Sequence, residues 1–254
     1  MSPPPRLVDA HAHLGDACFD DDRDEVLERA REAGVKAVVT VGETLDDALK
    51  NLELAGQHDA ILPTAGLYPT VLDPGQADAL VALIRSQRDR LVAIGEVGLD
   101  HWKVQDAGER EIQAEIFSRF IALSRETGLP LNVHSRSAAR PTVEQLLAEG
   151  AEKVLLHAFD GRAAKALPAL EAGYYFSVPP SIVRSRQKQK LVQRLPLNRI
   201  LLETDSPVLG PDRESRNEPA NVRISLAAIA EIKDVSEEEV VEAVVASQSA
   251  LFGV

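Results

Sequence analysis

The sequence is poor in cysteine, in basic residues and in long apolar runs. Cys18 is the only cysteine among 254 residues, which excludes an intrachain disulfide and a zinc site built from several thiolates. The 28 lysines and arginines face 40 aspartates and glutamates, and the resulting net charge of −12 argues against a wide surface for nucleic acid or anionic membranes. It does not exclude a local basic patch, or bound cations that reverse the charge inside a cleft.

Several function classes also lack their sequence signals. No apolar stretch approaches the roughly 18 residues that span a bilayer, and the start of the chain, residues 1–6, has no apolar segment typical of a signal peptide. We therefore expect an intracellular, cytoplasmic protein without a membrane partner. A Walker loop, a glycine-rich dinucleotide motif and the serine-hydrolase elbow are also absent, so nucleotide-driven, dinucleotide-dependent and serine-hydrolase chemistry have no support.

The chain does contain a regular alternation of short β-rich runs and amphipathic segments. The candidate strands are 7–10, 37–41, 61–65, 91–95, 130–133, 153–156, 174–178 and 200–202. The candidate helices are 21–33, 45–57, 78–87, 109–127, 142–149, 163–172, 184–195, 221–233 and 237–252, the last opened by a capping box from Ser236 to Glu239. Eight such units predict parallel strands in a (β/α)8 TIM barrel, with a doubly wound open sheet as the competing arrangement. We expect one domain over residues 1–254 and a monomer.

Residues of the types that bind metals follow the predicted strands. His11 and His13 end the first strand, and side chains two residues apart on a strand point to the same side. Asp9 shares their parity and is placed to orient a ligand. The ends of the fourth, fifth, sixth and eighth strands carry Glu96, His134, His157 and Asp205. Barrel strands end at one mouth, where barrel enzymes place their chemistry, so we expect these six side chains to hold one or two divalent ions. Their nitrogen and oxygen donors admit zinc, manganese or, less readily, magnesium.

These motifs, in this order, resemble those of the TatD family of metal-dependent deoxyribonucleases, within the amidohydrolase superfamily. The matching segments are residues 8–14, 95–100, 131–136, 156–161, 201–207 and 216–219. Residues 132–142, 153–162 and 179–191 are most similar to the subgroup known as TatD DNase domain-containing protein 3. The resemblance implies a TIM barrel and metal-dependent hydrolysis of DNA phosphodiester bonds, often from a free end. It also implies two ions, one held by His11, His13, Glu96 and Asp205, the other by Glu96, His134 and His157, with Glu96 as the bridge.

From this resemblance we expect a 3′–5′ exonuclease in which two ions activate a water. Asp205 and Glu96 are the candidate catalytic residues, and Asp205 would accept the proton of the water. The candidate substrate-binding residues are Arg136, Tyr68 and Asn217. Arg136 offers a bidentate fork to a phosphate, whereas Asn217 has loop fixing as its alternative role. Tyr68 stands in Gly-Leu-Tyr-Pro, where the family commonly has Gly-x-His-Pro, and a tyrosine cannot act as a neutral imidazole near pH 7.

Two other functions stay open on the sequence. A small-molecule hydrolase acting on an amide, lactone or phosphoester would use the same metals, and Tyr68 favours it. A non-catalytic binding protein is opposed by the complete ligand set.

Two surface features have open interpretations as well. Arg186, Lys190 and Arg194 recur every four residues and form either a contact for a nucleic-acid backbone or a solvated helix face. Trp102, in the loop after the fourth strand, either stacks on a base or packs over the barrel rim.

Overall fold

Eight parallel strands follow one another around the sheet in chain order, each hydrogen-bonded to the next. The computed structural model describes residues 6–254, and the expectation about a signal peptide rested largely on residues 1–5, which lie outside them. The strands are β1 (Leu7–Ala12), β2 (Val35–Thr40), β3 (Ile61–Ala65), β4 (Ala93–Gly98), β5 (Leu131–His134), β6 (Val154–Leu156), β7 (Tyr175–Val178) and β8 (Ile200–Leu202). This order confirms the TIM barrel and excludes the doubly wound sheet, whose strand order reverses at a switch point.

The barrel closes between β8 and β1 at the mouth. The N–H of His13 donates to the carbonyl of Ser206 at 2.7 Å, and the N–H of Asp205 donates to the carbonyl of His11 at 2.8 Å. The Asp9 carboxylate reinforces this seam, because it accepts the backbone N–H of Thr204 at 2.9 Å and the Thr204 hydroxyl at 2.5 Å. The closure therefore brings the histidines of β1 beside Asp205.

Nine α-helices surround the barrel within the described residues. They are α1 (Arg23–Glu32), α2 (Leu45–Gln57), α3 (Pro74–Ser86), α4 (Ala107–Thr127), α5 (Ala139–Ala148), α6 (Ala163–Glu171), α7 (Arg186–Arg194), α8 (Val222–Lys233) and α9 (Glu237–Phe252). The predicted capping box of α9 is present. Helix α3 begins four residues earlier than predicted, because Asp73 caps it and Pro74 occupies its first turn, where no N–H is needed.

Apolar packing fills the lower part of the barrel. Ala10, Leu155 and Leu201, from three different strands, pack together with Leu251 and Phe252 at the end of α9. One step toward the mouth, the same strands carry His157 and Glu203, since side chains two residues apart on a strand share a face. The apolar layer is thus a floor beneath a polar layer. Among the described residues, no helix has the length and apolar character needed to cross a membrane.

Candidate metal centre

His11 is held so that one ring nitrogen faces the centre of the mouth. Its Nδ1–H donates to the side-chain oxygen of Asn132 on β5 at 2.8 Å, and the Asn132 amide donates in turn to the carbonyl of Ala10 at 2.9 Å. The opposite nitrogen, Nε2, is buried and has no hydrogen-bond partner within residues 6–254. A buried polar atom without a partner is costly unless something binds it, so this nitrogen fits the role of a metal ligand.

Four ligand atoms surround a common point next to that nitrogen. His11 Nε2 lies 3.6 Å from Glu96 Oε2 and 3.5 Å from Asp205 Oδ1, and His13 Nε2 lies 3.5 Å from each of the same two oxygens. An ion bound tetrahedrally through bonds of about 2.0–2.2 Å separates its ligand atoms by roughly 3.4 Å. The donor set expected for the first ion is therefore assembled at a spacing that fits one divalent cation.

The other oxygen of Glu96 meets the remaining two histidines. Glu96 Oε1 lies 2.6 Å from His134 Nδ1 and 2.8 Å from His157 Nε2, and the two ring nitrogens are 3.3 Å apart. The structure thus brings all six predicted ligands together and turns the two carboxylate oxygens of Glu96 toward two separate groups. The ring of His11 in the first group also stacks on the ring of His157 in the second, with 3.8 Å between the ring centroids, so the two groups are in contact.

Room for Glu96 comes from glycines on neighbouring strands. A Cβ on Gly66 would lie 2.5 Å from the backbone carbon of Gly95, and a Cβ on Gly95 would lie 2.6 Å from the Cβ of Asn132. Both distances are shorter than packed carbons tolerate. The motif around Glu96 therefore contains glycine because β3, β4 and β5 approach closely where this carboxylate enters the mouth.

Three polar residues outside the predicted set lie against the ligands, and two of them, Asn132 and Asp100, hydrogen-bond an imidazole. Asn132 fixes His11, as described above. The Asp100 carboxylate accepts a hydrogen bond from His134 Nε2 at 3.1 Å. Glu203 lies 3.6 Å from His157 Nδ1 and is itself held by the N–H of Ala158 at 2.8 Å and the Ser177 hydroxyl at 2.6 Å. Strand parity offered a signal for two of them, because Asn132 and Glu203 each stand two residues before a predicted ligand.

Asp9 has a different role from the one its parity suggested. The register of β1 on β2 shifts between Asp9 and Ala12, so simple alternation does not relate Asp9 to the histidines. The carboxylate accepts the backbone N–H of His11 at 3.2 Å and the two Thr204 groups of the seam, and it contacts no imidazole. It is a closure residue of the barrel.

Buried charges of opposite sign stabilise one another in this centre. Burial would raise the pKa of Glu96, but the charges of His157 and His11 and the hydrogen bond from His134 hold it well below its usual range. Burial would lower the pKa of His13, but its hydrogen bond to Asp205 and the charges of both carboxylates raise it to about 9. The carboxylates are thus ionised at neutral pH, and they require positive charge beside them.

The predicted substrate-binding residues are placed differently from one another. Tyr68 is half-buried with its ring edge-on to His134 at 5.0 Å, so it borders the ligand cluster. Arg136 is exposed two residues beyond His134. Asn217 is 1% exposed, and its amide donates to the carbonyls of Thr204 and Val208 at 2.8 and 2.7 Å. These contacts fit the alternative role of Asn217, in which its amide fixes the loop after β8.

The basic stripe of α7 lies on the outside of the barrel. Arg186, Lys190 and Arg194 are all exposed, on a helix of 9 residues that begins after β7 and runs away from the mouth. Lys188 turns inward instead, and its ammonium donates to the carbonyl of Ala158, next to His157, at 2.8 Å. Only the first turn of the stripe is therefore near the ligand cluster.

Comparisons with known proteins agree with this geometry. The family model described as TatD related DNase matches residues 8–253. The chain is 48% identical to the human protein named deoxyribonuclease TATDN3, over 96% of this chain and 93% of that protein. It is 35% identical to a Bacillus subtilis protein named as the uncharacterized metal-dependent hydrolase YabD, over 97% and 98% of the two chains. The crystal structure of YJJV, a TatD homologue from Escherichia coli, matches with a TM-score of 0.91 at 25% identity, over 98% of this chain and 99% of that one.

Proposed function

Because this chain belongs to the family of TatD-related DNases and is a metal-dependent hydrolase of ester bonds, we propose that it cleaves DNA from the 3′ end with two divalent ions. The observation that carries the proposal is the division of Glu96, whose two oxygens face two groups of buried histidines. A carboxylate shared in this way is the usual bridge of a two-ion phosphoesterase site. One domain acting as a monomer suffices, since one chain supplies all six ligands.

The two groups would each hold one ion. His11, His13 and Asp205, together with Glu96 Oε2, form one set. Glu96 Oε1 with His134 and His157 forms the other. When bound, such ions lower the pKa of a coordinated water and stabilise the charge of a phosphate in the transition state. The nitrogen and oxygen donors suit zinc or manganese, and magnesium less well.

The protein's own residues supply orientation and proton transfer. Asn132 and Asp100 hold His11 and His134 by hydrogen bonds, and the Glu203 carboxylate lies beside His157, so the donor set is arranged before substrate arrives. Asp205, 8% exposed among the ligands in the mouth, is the residue that accepts a proton from the attacking water. Tyr68 borders His134, where the phosphate of a substrate enters, and Arg136 stands two residues beyond His134 in the chain.

A small-molecule hydrolase is the second candidate, and Tyr68 is the observation that favours it. Its ring lies against His134 at a position where TatD proteins commonly have a histidine, so a group that protonates a leaving oxygen near pH 7 is replaced. A substrate whose leaving group is a weak base needs less of this assistance.

The test is a time course on single-stranded DNA labelled at its 5′ end, with magnesium, manganese or zinc. Wild-type protein should give a ladder that shortens from the 3′ end, and Asp205→Asn should give none. Protein that demonstrably carries its ions yet leaves the strand intact with every metal would reject the nuclease in favour of the small-molecule hydrolase.

A further inference from the structure

Trp102 and Arg136 form a stacked pair on the rim of the mouth. Trp102 is 50% exposed in the loop after β4, and the Arg136 guanidinium, from the loop after β5, lies over its ring with Cζ 3.7 Å from the ring centroid. The Lys103 ammonium is 4.9 Å from the same ring. Two cations thus share one exposed aromatic ring, in a protein with a net charge of −12.

The charge on Arg136 has no carboxylate partner within the part of the chain that the structure describes. Its guanidinium lies more than 4.0 Å from every aspartate and glutamate oxygen of residues 6–254, and it donates no side-chain hydrogen bond there. A salt bridge inside the loop is therefore not what holds it. Because stacking leaves the in-plane N–H groups free, the edge of the guanidinium is available to an anion.

The pair is fixed relative to the metal centre through Asp100. One oxygen of this carboxylate accepts from His134, and the other accepts the backbone N–H groups of Trp102 and Lys103 at 2.9 and 2.8 Å. The His101 N–H also donates to the carbonyl of Arg136 at 3.0 Å. Two residues of backbone separate Arg136 from His134, a span of at most about 7 Å.

We propose that the Arg136–Trp102 pair is a binding site for a phosphate of the DNA strand other than the one being cleaved. This inference rests on the proposed function and specifies its substrate as a strand with at least two phosphates. Trp102 holds the guanidinium in place, so little side-chain freedom is lost when the fork binds. The ring face toward Arg136 is already covered, so on that face Trp102 supports the arginine and does not stack on a base.

Trp102 is the only tryptophan of the chain, so its fluorescence reports directly on this site. The probe is a single strand with phosphorothioate linkages, which keeps its charge and resists hydrolysis, added to metal-loaded protein. We expect the strand to change Trp102 emission at saturation. Fluorescence polarisation of a labelled strand then gives the affinity of each variant.

The variants separate the effect of the positive charge of Arg136 from that of its planar guanidinium fork. Arg136→Gln should weaken binding about 10-fold, as expected for loss of one charge-assisted hydrogen-bond pair. It should also reduce the salt dependence of binding by about 0.7 in the slope of log K against log salt, the value for one phosphate contact on a single strand. Arg136→Lys should keep that slope while losing part of the affinity. Arg125→Gln, an exposed arginine near the far end of α4, is the matched control and should change neither.

Two results would overturn the proposal. One is an affinity and salt slope of Arg136→Gln equal to those of Arg125→Gln, with both variants folded and carrying ions. The other is a deoxynucleoside monophosphate that binds with the same affinity and the same dependence on Arg136 as the strand, which would assign the pair to a small phosphate ester. Arg136-dependent strand binding by a protein that cleaves no DNA would support this site and reject the nuclease.

Discussion

Replacement of Asn132 by alanine should weaken metal binding although Asn132 is not a ligand. Its oxygen holds Nδ1 of His11, and this contact aims Nε2 at the centre of the mouth. Loss of such an orienting partner typically lowers metal affinity by about 10- to 100-fold. We expect a loss in that range for Asn132→Ala, because the His11 ring is then free to turn and to exchange tautomers.

The same substitution should also lower the free energy of unfolding. It removes two hydrogen bonds and leaves the ring nitrogen of His11 and the carbonyl of Ala10 without partners, and both of these residues are 0% exposed. Each buried group left unpaired costs about 1–3 kcal/mol. We therefore expect a loss of roughly 2–6 kcal/mol in chemical denaturation.

A second buried asparagine separates the two effects. Asn51 on α2 is also 0% exposed and donates to the carbonyl of Thr40 at 3.3 Å, and within residues 6–254 it makes no hydrogen bond to any of the six predicted ligands. Asn51→Ala should lose stability and keep its metal affinity, measured by competition with a chelator at fixed pH. The reasoning is refuted if Asn132→Ala binds metal as tightly as Asn51→Ala does.

Three further predictions concern the centre itself. Asp205→Asn should lower kcat by about 10²- to 10⁴-fold, as expected for loss of a general base, and a mutant above a tenth of wild-type rate would exclude that role. In protein stripped of metal, folding raises the pKa of His13 from 6.5 to about 9, and this stabilises the fold. The stabilisation is fully present below pH 6.5 and is lost as the pH rises through 9. Chemical denaturation of the stripped protein should therefore show a loss of at most about 3 kcal/mol between these values, and restored metal should reduce that loss. If the free energy of unfolding falls equally with and without metal, the assignment of this loss to His13 is contradicted. Tyr68→His should raise the rate of DNA cleavage and add a pH dependence near the pKa of the new imidazole, about 6.5; an unchanged pH–rate profile would show that this position takes no part in proton transfer.

Much of the metal centre could be predicted because the parallel strands of a barrel all end at one mouth, so residues at successive strand ends lie close together. His134 and His157 are 23 residues apart in the chain, yet both end strands of one parallel sheet, so their ring nitrogens meet at 3.3 Å. The prediction needed only the strand ends and the rule that such ends share one mouth. The family resemblance, confirmed by the match over residues 8–253, added the division of ligands between two ions, which stays a proposal.

Other features depended on contacts that sequence spacing does not encode. The register of β1 on β2 shifts between Asp9 and Ala12, so regular alternation did not predict that the Asp9 carboxylate binds Thr204. The Asn217 amide donates hydrogen bonds to two carbonyls of its own loop. These contacts depend on how the loop after β8 folds. The contact between Arg136 and Trp102 joins the loops after β5 and β4. Asp100 holds the backbone of the Trp102 loop, and no periodicity in the sequence predicts the contact.

We propose that Glu96 would hold two ions, with one carboxylate oxygen toward each group of histidines. The most direct measurement is anomalous scattering from crystals of the protein grown with manganese. Two peaks should appear, one among His11, His13 and Asp205 and the other between His134 and His157, with Glu96 contacting both. A single peak, or peaks that avoid Glu96, would contradict the account.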